Sequence, residues 1–151
     1  MKVNHQLLHN DIMGRILAID FGSSRIGLAL TDPAQIIGSP FKTLQVKGKK
    51  FPAIIDLLLE VIKEKDVELI LLGLPLLLSG KDSDTTKQVR EFAALLEKNT
   101  KLPLELIDER LTSRLAMHTL KEAGLNRKER SKHVDEISAS IILQGYLDSK
   151  Y

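Results

Sequence analysis

The sequence predicts an α/β fold, a mixed β-sheet with helices packed on its faces. Three strand-like runs, Arg15 to Asp20, Ile26 to Thr31 and Ile37 to Val46, follow one another through links too short for a helix, which favours an antiparallel meander. Two further apolar runs, Val67 to Leu72 and Leu104 to Ile107, alternate with stretches of helical periodicity. A meander that passes into alternating strands and helices gives a five-stranded mixed sheet.

Each element has its own local reason. Residues 1-13 are polar and without period and read as a loose N-terminal extension, leaving 14-151 as a single domain. The first strand, Ile16-Leu17-Ala18-Ile19, is apolar at every position and so expected to be buried on both faces. Asp20 closes it, and Phe21-Gly22-Ser23-Ser24 reverses the chain. The second strand carries Gly27, where backbones can approach closely. After the third, Pro52 fits a first helical position, with Phe51, Ile55, Leu58 and Ile62 on one helical face. Gly73-Leu74-Pro75 ends the fourth strand, and a loop through Ser79-Gly80 leads to a helix with Val89, Phe92, Ala93 and Leu96 on one stripe. The fifth strand ends in Asp108-Glu109-Arg110. A helix is expected from about Thr112, its cap, to Gly124, its C′ stop, and a last helix from about Lys132 to Leu147.

Composition narrows the function classes. The chain has 151 residues, 43% hydrophobic and 28% charged, enough for one core without a second domain. It has no cysteine, so no disulfide framework, and no apolar N-terminal run or membrane-length apolar stretch. A soluble cytoplasmic protein is the expectation. The net charge of +2 assigns no partner. Two basic clusters do more: Lys47, Lys49 and Lys50, and Arg127, Lys128, Arg130 and Lys132 with His133. Each is either a phosphate-tracking patch or a solvated loop.

Asp20 is the most informative residue. A carboxylate at the end of a buried strand is costly unless it faces something cationic, and ligands of open α/β sheets bind beyond the carboxyl ends of the strands. Asp108 and Glu109 close the fifth strand in the same way. Asp135 enters on the last helix, sharing a face with Ser138, Ala139 and Ile142, small enough residues for close packing on the sheet. Three carboxylates meeting there suit two Mg²⁺ ions about 3.5–4 Å apart acting on a phosphodiester. Zinc chemistry is not expected, because His5, His9, His118 and His133 lack the spacing of a zinc site. Each acid also has a local alternative. Asp20 can accept the amides of Gly22 and Ser23 in an Asx-turn, and Asp108, Glu109 and Asp135 can favour nearby helix N-termini.

Taken in order, AIDFGSSRIGLALTDP, LLGLP, FAALLE, IDERLTSRLA and VDEISASIILQGYL resemble the YqgF family, described as pre-16S rRNA nucleases and as Holliday-junction resolvases. The resemblance covers Gly14 to Leu147. It implies a ribonuclease H-like fold, a five-stranded mixed sheet with its first three strands antiparallel, flanked by helices. It makes Asp20, Glu109 and Asp135 the catalytic metal ligands, with Asp108 an alternative ligand, for Mg²⁺ or Mn²⁺. Ser23, Arg25 and Arg110, with the basic Arg127, Lys128 and Arg130, become the substrate contacts. Arg110 either grips a phosphate or pairs with a neighbouring carboxylate. The chain departs from the family where Leu76-Leu77-Leu78 stands in place of polar residues after the Gly-Leu-Pro proline.

The function so implied is metal-dependent hydrolysis of phosphodiester bonds, in the 5′ processing of pre-16S rRNA during ribosome biogenesis. A resolvase of four-way DNA junctions shares every catalytic residue but is expected to be a two-fold dimer, where an RNA processor can act as a monomer. A non-catalytic nucleic-acid-binding ribosome-assembly factor would keep the basic patches and tolerate loss of the acids. An actin-like ATP-binding switch also uses Asp-x-Gly-Ser turns, but needs two such domains.

Overall fold

The structure, a computed structural model, describes residues 14–110, 118 and 120–150. The strands are β1 (Arg15–Phe21), β2 (Arg25–Thr31), β3 (Gly38–Gln45), β4 (Val67–Leu74) and β5 (Leu104–Asp108). The helices with full bounds are α1 (Phe51–Glu64), α2 (Asp84–Thr100) and α3 (Arg127–Lys150). One sheet runs in the order β3-β2-β1-β4-β5. The first three strands pair antiparallel, while β4 and β5 join parallel to β1, as the short links and the helical crossovers require.

The central strands are buried on both faces, and their alternation sorts the core into two layers. Leu17, Ile19, Ile26, Leu28, Ile70 and Leu72 face α1 and α2, where Ile54, Ile55, Leu58, Val89, Phe92 and Leu96 cover them. Phe21, Phe51 and Phe92 meet there edge to face or tilted, with centroids 4.6–5.8 Å apart. On the other face Ile16, Ala18, Ala29 and Leu71 receive Ala139, Ile142, Leu143 and Leu147 of α3. Each such aliphatic side chain contributes about 1.5–3 kcal/mol when fully buried, so the first layer carries more of the stability.

Several boundaries differ from expectation: β1 continues to Phe21, β5 to Asp108 and α3 to Lys150, and three other differences bear on the site. Pro52 occupies the second helical position, because Lys50 is the N-cap of α1. β4 continues through Gly73 to Leu74, because both residues keep pairing with β5. The last helix starts at Arg127 rather than near Lys132. Asn126 Oδ1 accepts the Glu129 amide at 2.9 Å while Glu129 Oε1 accepts the Asn126 amide, a reciprocal cap that starts the helix earlier. The basic run thus lies on a helix and not in a loop. Asp135 falls in the third turn, where the helix dipole no longer accounts for it. Gly124 has a φ of 82°, suited to its expected place after a helix that is seen at residues 120–122. The expected extension 1-13 and the start of that helix at Thr112 lie outside the described residues.

Candidate active site

Two glycines make room for the acids at the carboxyl ends of β1 and β4. Asp20 follows Ala18 on the α3 face and stands in register with Gly27 of β2. A Cβ on Gly27 would lie 2.0 Å from the Asp135 carbonyl oxygen, so only glycine lets α3 come down onto the sheet here. On the other side of β1, Ile19 pairs with Leu72, which puts Gly73 next in line beside Asp20. A Cβ on Gly73 would lie 2.4 Å from Glu109 Oε2 and 2.8 Å from Ile142 Cδ1. The space that a side chain would take holds the Glu109 carboxylate instead.

Three of the predicted acids therefore share one locality, with Asp20 in the middle. Asp20 is hydrogen-bonded to the Glu109 carboxyl and feels the charge of Asp135. Burial pushes Asp20 above its ordinary range, and the Asp135 charge adds to this. Glu109 is pushed up to about 9, first by burial and then by the charge and hydrogen bond of Asp20. The hydrogen bond between the two carboxyls acts in opposite directions on them, lowering Asp20 and raising Glu109. Asp20 is not occupied with its own turn: its partners are Glu109 and Ser138 of α3 rather than Gly22 and Ser23. Ser138 Oγ is buried and, among the described residues, makes no well-directed hydrogen bond, yet it lies close enough to Asp20 to lower its carboxyl somewhat.

The other predicted residues divide. Arg25 Nε donates to Asp135 Oδ2 at 2.7 Å, tying the start of β2 to α3. Asp108 is held by Arg110, whose Nε and Nη2 reach its Oδ2 at 2.8 and 2.6 Å, and this pair keeps the Asp108 carboxyl below the usual range. Of the two uses its sequence position left open, the structure shows Arg110 paired with the carboxylate. Its Nη1 also donates to the Leu78 carbonyl at 3.2 Å. Ser23 is exposed in the turn and Lys128 is exposed on α3, whose first residues are Arg127 and Lys128. Arg127 and Arg130 belong to the first turn of α3, about 8–12 Å along its axis from Asp135.

Sequence reasoning passed over Gly73, Ser138 as a polar group, and the Asn126 to Glu129 cap. Gly73 was readable only as the end of a strand. The cap had a signal, an Asn three residues before a Glu, but it was embedded in a basic run that looked like loop.

The donor set fits a hard divalent cation. It consists of carboxylates beside a buried hydroxyl, it is cradled where side chains are excluded, and two of its members are held above their ordinary range by burial. Among the described residues, no three acidic or histidine side chains close on a single point. Asp20 instead is hydrogen-bonded to Glu109 and lies within range of the Asp135 charge.

A family model described as RuvX, Holliday junction resolvase, matches residues 14–149. The chain belongs to the RuvX family. Its relatives include proteins named "Putative pre-16S rRNA nuclease" from Maridesulfovibrio salexigens and Protochlamydia amoebophila. Each is 47% identical, over 88% and 90% of this chain and 97% and 94% of the relative. Among solved structures, RuvC of T. thermophilus in complex with a Holliday junction matches with a TM-score of 0.58 at 12% identity, over 91% of this chain and 96% of that one. The fowlpox virus resolvase bound to junction DNA matches at 0.55 and 11%, over 90% and 98%. These likenesses establish the ribonuclease H-like fold that the motifs imply.

Proposed function

We propose that this RuvX protein is a divalent-metal-dependent nuclease that hydrolyses phosphodiester bonds of structured nucleic acid, with pre-16S rRNA as its substrate and the cytoplasm as its place of work. The observation that carries the reading is the meeting of Asp20 with Glu109 and Asp135 between two glycines that admit no side chain. The names of the relatives support the rRNA substrate.

In this reading Asp20, Glu109 and Asp135 would hold Mg²⁺ or Mn²⁺, while Asp108 stays with Arg110. When bound, the cations activate the attacking water and stabilise the leaving oxygen of the phosphodiester. Glu109, pushed up to about 9, would have to ionise before it could hold a cation, so loading the site would release protons. Arg25, exposed over nearly half its side chain, turns from Asp135 to the substrate phosphate once Asp135 has another partner. Arg127, Lys128 and Arg130 at the start of α3 track the backbone on either side, and this electrostatic contact weakens with salt.

The test is cleavage of a pre-16S rRNA fragment with Mg²⁺ or Mn²⁺ by the wild type and by Asp20→Asn. Product from the first and none from the second is expected. Equal cleavage by both, or by neither, would sink the mechanism. The family description favours a second reading, cleavage of four-way DNA junctions. It predicts symmetric incision of a junction in the same assay and a two-fold dimer by light scattering.

A further inference from the structure

The loop between β4 and α2 presents two leucines to solvent at the rim of the acid site. Of Leu76-Leu77-Leu78, the first packs on the core. Leu77 and Leu78 do not: they are 48% and 79% exposed. Exposed leucines on a floppy loop would mean little, but this loop is braced throughout. Leu76 bridges to Asp82, the Leu77 amide donates to the Lys81 carbonyl at 2.9 Å, and the Gly80 amide donates to the Leu77 carbonyl at 2.7 Å. Gly80 takes a φ of 87°, which favours glycine at this turn. Arg90 of α2 clasps Asp82 with two hydrogen bonds, and Thr86 Oγ1 donates to the Pro75 carbonyl. Arg110 completes the brace from the catalytic side through the Leu78 carbonyl, while the Glu109 amide donates to the Leu74 carbonyl at 3.2 Å. The leucine tip is therefore fixed to the same turn that carries Glu109.

We propose that Leu77 and Leu78 form an apolar wedge that enters between bases of the bound nucleic acid and unstacks them at a helix end, bulge or branch next to the scissile phosphate. This rests on the nucleic-acid reading above and adds to it a preference for places where stacking is already weak. Three features favour a nucleic acid over a protein partner. The tip is tied through Arg110 to the turn that carries Glu109, it is flanked by exposed Lys81 and Lys87, and two side chains fall far short of the roughly 800 Å² per partner that a stable protein interface needs. Apolar wedges on a cationic surface are how proteins exchange unstacking energy for a bent or opened substrate. The backbone brace matters because a wedge that yielded would not separate the bases.

The test uses bulged and four-way-branched RNA and DNA with 2-aminopurine at the junction base, in Ca²⁺ to avoid turnover. The wild type is expected to raise 2-aminopurine fluorescence on binding. The L77S/L78S double variant loses the rise and binds the branched probes roughly tenfold more weakly. Its melting temperature stays within about 2 °C of wild type because the changes are on the surface. L78F, which restores a larger wedge, keeps the rise. An equal rise in the double variant, or no rise in the wild type, overturns the proposal. So does an unchanged rise accompanied by loss of self-association in light scattering, which would make the tip a contact between copies. Because no cleavage is read, absence of nuclease activity in the earlier assay refutes that reading without deciding this one.

Discussion

Two aspartates stand at the ends of neighbouring strands in this chain, Asp20 in the penultimate position of β1 and Asp32 just past β2, and they meet opposite fates. Asp32, just past β2, accepts the amides of Ile36 and Ile37 at 2.8 Å each, and these bonds hold its carboxyl below the ordinary range. Beside it Gln35, at a φ of 59°, donates to the Gly14 carbonyl and to Glu68. Asp20, at the other end of the sheet, is buried against two further acids and an unsatisfied hydroxyl, and its carboxyl is pushed the other way. One end spends its polar groups on itself. The other leaves them unmet, which costs stability and is tolerable only where something else supplies the missing charge.

The largest effect should separate the two aspartates by activity. Asp20→Asn keeps the shape but removes a charge, and cleavage is expected to fall by about 10³-fold or more. Asp32→Asn, assayed beside it on the same rRNA fragment, should cleave as wild type does. If Asp32→Asn proves as damaging, the division between the ends fails.

A pair of glycines tests the same contrast by volume. Gly73→Ala drives a methyl into the Glu109 carboxylate and Ile142, while Gly14→Ala at the opposite end drives one to 2.4 Å from the Asp66 carbonyl. Both should cost about 1–3 kcal/mol in urea melts. Only Gly73→Ala should also lower cleavage, by roughly a hundredfold, because only there does the displaced group belong to the site.

Titration gives a third contrast, with a sign. Glu109 has a folded pKa of about 9 against an ordinary 4.5, so the folded state keeps its proton longer than the unfolded chain. Its stabilising contribution is present below pH 4.5, declines as pH rises and is gone above about 9. Asp32 behaves inversely: its contribution is present above 3.8 and lost as pH falls through its lowered folded pKa. In EDTA, Glu109→Gln should flatten the alkaline loss and raise Tm at pH 8 by about 2–6 °C. Mn²⁺ should stabilise the wild type at that pH and do little for the variant. A variant that melts lower than wild type at pH 8 in EDTA would mean that Glu109 is not under strain.

How far this contrast was legible in the sequence follows from what decides it. Asp20 was readable as an acid at the end of an apolar run, and Gly27 as a place of close approach, because both signals lie within a few residues. The antiparallel meander of the first three strands was readable for the same reason, whereas the place of β4 beside β1 is set by pairing about fifty residues along the chain. Asp20 and Asp32 nevertheless look alike locally, since each comes at the end of an apolar run and precedes a turn with glycine or proline nearby. What separates them comes from far along the chain. Gly73, Glu109, Asp135 and Ser138 gather around Asp20, whereas Ile36 and Ile37 satisfy Asp32 from four and five residues away. Motif order supplied the acids, but the glycine that houses Glu109 and the hydroxyl left unpaired emerge only when strands and helix are in place.

The smallest expected effect probes the quiet end alone. Asp32→Ala removes an acceptor of two amides on a half-exposed turn, where water can replace much of what is lost, so the cost should be about 0.5–1.5 kcal/mol. Asp32→Asn keeps one carbonyl oxygen to accept the same amides and should recover most of that. The comparison isolates geometry from charge: at Asp32 an amide does nearly the work of a carboxylate, whereas at Asp20 the same exchange is expected to abolish function. If Asp32→Asn were as unstable as Asp32→Ala, the charge itself would matter at this end too, and the two strand ends would differ in degree rather than in kind.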